Sequence, residues 1–261
     1  MLFVAIGLIV LAYVVMVSRT VFVLSYHSIG PEKTPIPGLS IPTEAFRRHV
    51  RLLALLGLKA EPIDLLAANV RGKDKRCPHL CITFDDGYRT VLQNALPILQ
   101  EMRWPATVFV PTGHVGHSNV WDQANGVPEL SVMDWTELQD LSKKGIQIGS
   151  HGRAHVSLLN LPDERCWEEL HGSRADLQSH LGQFSQIFCY PFGHRHPGLG
   201  KLAQKAGYEG ACSVVRDAFP DNPYDIGRIV VRYNSTPGFA FQLFTYPIVS
   251  AARKIMKKLK A

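Results

Sequence analysis

The sequence predicts one α/β domain built on a parallel, barrel-like sheet, and three observations carry that expectation. Short apolar runs alternate with longer segments of helical periodicity along the 261 residues, a length and pattern that favour one such domain over two small ones. Three of the runs, Leu80-Cys81-Ile82, Ile146-Gln147-Ile148 and Ile187-Phe188-Cys189, each stop at chemically unusual residues. Sites in parallel α/β folds lie at the carboxyl ends of the strands, so these three stops are expected to share one site.

The chain opens with Met1 to Ser18, eighteen residues without a charged side chain. As a helix they would span about 27 Å, enough for a bilayer core. No basic n-region and no small-residue cleavage site precede Val21-Phe22-Val23-Leu24, which reads as the first strand, so the segment is expected to be a retained transmembrane helix rather than a secretory signal. Arg19 flanks it on the C-terminal side. The positive-inside rule then tilts towards a cytoplasmic-facing domain, with a periplasmic or extracellular one as the alternative. The expected organisation is an anchor at 1–18, a main domain at 19–240 and a basic amphipathic segment at 241–261.

Beyond the first strand, Tyr26-His27-Ser28 places an imidazole that by itself reads first as a buried or loop histidine. A Pro-rich loop, Pro31 to Pro42, leads to Thr43 as the cap of a helix whose Phe46, Val50, Leu53 and Leu56 recur at helical spacing. Arg47, Arg48 and Arg51 form its solvated face. Helices follow at 91–102, at 135–144 with Asp134 as N-cap and Gly145 as C-cap, and at 164–181. Strands are expected at 106–110, around 211–214 and at 228–231.

The chemistry gathers at the three stops. Asp85 and Asp86 lie in Thr83-Phe84-Asp85-Asp86-Gly87-Tyr88, where neighbours on an extended chain face opposite ways, so one carboxylate could bind a metal while the other stays free as a base. A plain solvated Asp-Gly turn is the competing reading. His151 and His155 stand four apart, a spacing that puts two imidazoles on one side of a helical turn. With a carboxylate they would make three protein ligands and leave one position open. The third stop is Tyr190-Pro191-Phe192-Gly193.

At these residues the sequence resembles the polysaccharide deacetylase family, also called the NodB-homology or carbohydrate esterase family 4 group. The likeness extends over roughly residues 20 to 235 and rests on Thr83 to Gly87, His151 to His155 and Tyr190 to Gly193. It implies a distorted (β/α) barrel and a metal-dependent N-deacetylase of amino sugars. By that resemblance Asp86, His151 and His155 would hold a divalent ion, zinc foremost, with Asp85 as general base. A backbone N–H near Tyr190 and Pro191 would meet the oxyanion, and Trp121 would wall the sugar site. His27 is assigned as the acid by likeness to a subset acting on poly-N-acetylglucosamine, which carries that His in an N-terminal Tyr-His motif. Two positions depart from the family pattern: Gly152 follows His151 where Ser or Thr is usual, and Cys189 stands where many members have Arg. Arg228 is the candidate to replace that missing cation.

Charge and cysteines bound the partners. The tail cations Arg253, Lys254, Lys257, Lys258 and Lys260 carry most of the formal +6, so the body is not broadly basic and a nucleic-acid groove is unsupported. With Ile248, Ala252, Ile255, Met256 and Leu259 on one face, that tail suits an anionic leaflet or a solvated helix. Five scattered cysteines fit free thiols. The expected partners are the membrane and an N-acetylated glycan, or a lipid-linked sugar close to the bilayer; the sequence names no protein partner. Hydrolysis of another amide such as a sugar formamide, or a non-catalytic glycan-binding protein on the same fold, are the rival functions.

Overall fold

The computed structural model describes residues 20–30, 39–74, 77–123, 126–214 and 221–259. Among them, seven strands form one parallel sheet: β1 (Phe22–Tyr26), β4 (Leu80–Phe84), β5 (Thr107–Val110), β6 (Gln147–Ser150), β7 (Ile187–Cys189), β8 (Gly210–Cys212) and β9 (Ile229–Val230). Their spatial order is β8-β7-β6-β5-β4-β1-β9. The two edges meet just ahead of β9, where Ile226 bridges Cys212 in parallel, so the expected barrel is a curled sheet whose ring is closed by this single bridge. β2 (Ser28–Gly30) and β3 (Ser40–Pro42), unforeseen from the sequence, make a separate parallel pair.

Strand alternation explains how the site is positioned. On β1 and β4 one set of side chains, Phe22, Leu24, Tyr26, Leu80, Ile82 and Phe84, joins the large core beneath the helices. The opposite set begins apolar, with Val21, Val23 and Cys81 packed beside Ile187, Cys189 and Cys212, and turns polar towards the carboxyl ends at Ser25, Thr83 and Asp85. Chemistry therefore appears where the apolar filling stops. Helix α2 (Ile63–Val70) adds Ile63, Leu66 and Ala67 to that second core.

Helix α1 (Thr43–Leu55) corrects one expectation. Its N-cap position is Pro42 and it has no side-chain cap; the Thr43 hydroxyl donates instead to the Gly30 carbonyl at 3.0 Å. Burying Phe46, Val50 and Leu53 contributes about 1.5–3 kcal/mol each, against about 1 kcal/mol for a cap, so packing fixes this helix. The segment at 91–102 is a π-helical turn, Val91–Ala95, running into α3 (Leu96–Met102), where Pro97 supplies no N–H to an α-helical ladder. Helix α4 (Trp135–Lys143) starts on a capping box in which Asp134 and Glu137 accept each other's backbone N–H at 2.9 Å. The segment from 163 reads α5 (Asp163–Trp167), a π-helical turn Glu168–Gly172, and α6 (Ser173–Leu181). α7 (Pro197–Lys205) follows β7.

The last helix, α8 (Thr236–Leu259), begins before the expected 241 because Phe239, Leu243 and Tyr246 pack into the main core. Its outward face exposes Ile248, Ile255, Met256 and Leu259. Among the described residues no helix is long and apolar enough to cross a membrane. The single-pass membrane location is corrected accordingly; residues 1–18, on which it was read, lie outside the described residues. The cytoplasmic orientation was read from that anchor and is corrected with it.

Candidate active site

The carboxyl ends of the strands open into a cavity of about 480 Å³ lined by His27, Asp85, Asp86, His151, His155 and Arg228, with Tyr190 and Phe192 alongside. Asp85 leaves β4 with its N–H donated to the Tyr26 carbonyl at 2.9 Å. The chain then turns through the left-handed region at Asp86 (φ 68°) and Gly87 (φ 66°). A Cβ on Gly87 would stand 2.7 Å from the Val110 side chain, so only glycine lets this loop lie against β5. The turn separates the two carboxylates, and each has different company.

Asp85 is 3% exposed and is gripped by a guanidinium. Arg228 donates from Nη1 to Oδ1 at 2.6 Å and from Nη2 to Oδ2 at 2.8 Å, a two-pronged, charge-assisted pair. Ser25 adds a donation to Oδ2 at 3.2 Å. Burial, the largest single influence, would raise the Asp85 pKa, but the charge and hydrogen bonds of Arg228 together with His151 and His27 outweigh it and hold the carboxylate below its usual range. Arg228 is itself 1% exposed and also donates to Thr83 Oγ1 at 3.1 Å and to Cys189 Sγ at 3.1 Å. The expected replacement cation thus reaches Asp85 from the start of β9, passing beside the small thiol at position 189.

Asp86 meets imidazoles instead. Its Oδ1 lies 3.5 Å from His151 Nε2 and 3.1 Å from His155 Nε2. The three ligand atoms sit within 4.8 Å of one another, and all three residues are buried. His151 Nδ1 is 2.7 Å from the Cys189 carbonyl, which can only accept, so Nδ1 carries the hydrogen and Nε2 turns its lone pair towards Asp86. Burial lowers the His151 pKa to about 4 and keeps the ring neutral. Burial would raise Asp86 too, but neighbouring His155, then His27 and His151, hold it below the usual range. Among the described residues, Asp86 Oδ1 and His155 Nδ1 are buried without a hydrogen-bond partner. An orphaned carboxylate oxygen beside the Nε2 atoms of two buried histidines is a donor set that fits a divalent cation.

A second triad, Asp85, His151 and Cys189, is equally close-set. It fits a metal poorly, because Arg228 occupies both Asp85 oxygens and burial pushes the Cys189 thiol well up, away from thiolate.

The histidine pair converges by a route other than the expected helical turn. Residues 151–155 form an irregular loop after β6, with Gly152 at φ 77° and His155 at φ 51°. The loop is held by Glu169, a carboxylate 5% exposed in the π-helical turn, whose Oε2 accepts from Arg153 N at 2.7 Å and Ala154 N at 3.0 Å. A Cβ at position 152 would stand 2.8 Å from that same oxygen, which accounts for Gly152 in this chain. Sequence reasoning passed over Glu169; the unusual His-Gly pair was the only trace it left.

The remaining predicted residues are placed as follows. His27, between β1 and β2, lines the cavity with Nε2 3.9 Å from Asp85 Oδ2. Tyr190 lines it as well, but its own N–H donates to the Cys212 carbonyl at 3.0 Å in the β7–β8 ladder, so the expected oxyanion donor is not that amide. Pro191 stands behind, opening a short turn in which Phe192 takes φ 59° and brings its ring 4.8 Å from His155. Trp121 stacks 4.5 Å from His155 and does not line the cavity, so it props a histidine where a sugar wall was expected. Its neighbour Asp122 does line it, its pKa raised by partial burial and by the Asp86 charge.

These features define an α/β protein with a carboxylate and imidazole centre suited to a divalent ion. The chain belongs to the polysaccharide deacetylase family, whose sequence profile matches residues 72–211. YxkH of Bacillus subtilis, provisionally named a polysaccharide deacetylase, is 26% identical over 190 residues, covering 72% of this chain and 62% of that protein. A poly-beta-1,6-N-acetyl-D-glucosamine N-deacetylase of Staphylococcus aureus is 27% identical over 161 residues, covering 58% of this chain and 53% of that one. The chain thus spans between half and two thirds of the length of these relatives. Among solved structures, IcaB from Ammonifex degensii shares the fold with a TM-score of 0.72 at 21% identity, over 87% of this chain and 97% of that one. The Streptococcus pyogenes deacetylase PplD, solved in complex with acetate, gives 0.70 at 19% identity over 86% and 98%.

Proposed function

We propose that this chain is a metal-dependent N-deacetylase that hydrolyses the acetamide of an N-acetylated amino sugar within a glycan. The observation that carries the proposal is the division of labour between two adjacent buried carboxylates, Asp86 beside two Nε2 atoms and Asp85 locked to Arg228. Asp86, His151 and His155 would hold the ion, zinc foremost. When bound, it supplies a Lewis acid that polarises the acetamide carbonyl and acidifies an attacking water.

The protein side chains do the rest. Asp85 takes the proton of the attacking water, and Arg228 keeps that carboxylate ionised and fixes its plane. A base held this low would be weak towards ordinary water; it is matched to a water whose own pKa has been lowered. His27 gives a proton to the departing amine nitrogen, which an amide cannot expel unprotonated. Phe192 and Trp121 pack on His155 and hold its ring in place. The Staphylococcus aureus relative supports N-acetylglucosamine polymers as the first substrate class to try.

Amine release from N-acetylglucosamine oligomers tests the proposal. Release is expected from the metal-loaded protein, falling to background after chelation and returning when zinc is restored. Release unaffected by chelator would contradict the metal role, and metal-loaded protein that releases no amine from any N-acetylated glycan would contradict the deacetylase.

A further inference from the structure

The cavity mouth carries a cation that this chemistry does not use. Alternation along β9 and its flanks sends Arg228, Val230 and Arg232 to the cavity, while Ile229 and Val231 are buried in the main core. Arg228 is neutralised by Asp85, two steps deeper. Arg232 is exposed at the rim, and among the described residues it forms no hydrogen bond or ion pair. On the His155 side the same cavity presents Asp122, so the opening has an acidic flank and a basic flank. A neutral N-acetylhexosamine chain can offer hydroxyls to both side chains but leaves both charges unneutralised.

We infer that Arg232 is a specificity residue that binds an anionic group, phosphate or carboxylate, carried by the glycan next to the sugar being deacetylated. The inference rests on the deacetylase reading and names the substrate class within it. A guanidinium offers a planar fork of donors that matches both oxyanions. The same charge disfavours sugars already deacetylated, whose amines are cationic, from lying along the β9 side. Asp122 suits such an amine on the opposite flank, so the pair would fix the direction in which a charged glycan enters.

The test measures binding and turnover of three N-acetylglucosamine oligomers of equal length, one neutral, one bearing a phosphate and one bearing a carboxylate. Wild-type protein is compared with Arg232→Ala and Arg232→Lys, folding being checked by thermal midpoint. Wild type is expected to bind at least one anionic oligomer about three- to tenfold tighter than the neutral one at low salt. That advantage should fade as salt rises, drop to about onefold in Arg232→Ala and return in part in Arg232→Lys. Which anion gains more identifies the group. Equal affinity for all three oligomers in the wild type, or a preference that survives Arg232→Ala, would overturn the assignment. Failure of wild type to release amine from any of the three would count against the deacetylase reading, while the binding comparison would still decide Arg232.

Discussion

Asp85 and Asp86 are chain neighbours, both almost fully buried, yet they occupy two different electrostatic worlds. Asp85 faces a guanidinium and a serine hydroxyl, and both of its oxygens accept from Arg228. Asp86 faces two imidazoles and keeps an oxygen with no hydrogen bond. A left-handed turn at Asp86 sends the side chains to different partners, one set by β9 and β1, the other by the loop after β6. The comparison teaches that the Asp-Asp pair does not define two roles by itself; the partners brought by distant strands do.

Removing Arg228 should break the contrast most severely. Arg228→Ala leaves a buried carboxylate without its cation, a loss of about 3–5 kcal/mol, measurable by denaturant unfolding. The sign with pH follows from the lowered Asp85 pKa. In the wild type its contribution is fully present above the ordinary carboxylate value of 3.8 and is lost as pH falls through the lower folded value. In the variant the largest lowering influence is gone, and burial raises that pKa against the weaker pull of His151 and His27. Its stability deficit is therefore largest near neutral pH and narrows in acid, and the acid limb of kcat/KM moves to higher pH. An unchanged limb would show that Arg228 does not set the ionisation of Asp85.

A smaller effect is expected on the other half of the site. Glu169→Gln keeps one acceptor for the loop that carries His155 but removes its charge, so zinc affinity should weaken by about tenfold, read by chelator competition. Affinity within twofold of wild type would mean that the loop holds its shape without this carboxylate. The smallest effect belongs to the helix start at Asp134, which touches neither half. Asp134→Ala should cost about 1 kcal/mol in unfolding and leave zinc affinity unchanged.

The strands β1, β4, β5, β6 and β7 follow from apolar runs bounded by turn residues, and the candidate site residues all line one cavity except Pro191 and Trp121. Periodicity located α4 and its cap because Asp134 and Glu137 form a local pair. Non-local features stayed hidden. Pairing of β2 with β3 involves three residues on each strand, too short a run to show alternation. The Glu169 contact joins residues 15 and 16 apart through a π-helical turn that no hydrophobic pattern marks. The i, i+4 spacing of His151 and His155 suggested a helix, whereas a glycine and a left-handed histidine produce the convergence. Arg228 lies 143 residues from Asp85 and was reachable only through family likeness.

Whether the two carboxylates have separate roles is decided by zinc stoichiometry and amine release for Asp85→Asn and Asp86→Asn beside wild type. Asp85→Asn should retain one zinc per chain and lose turnover by about 10²–10⁴-fold, while Asp86→Asn should lose both the zinc and the turnover. Loss of zinc in Asp85→Asn, or full zinc binding in Asp86→Asn, would contradict the account.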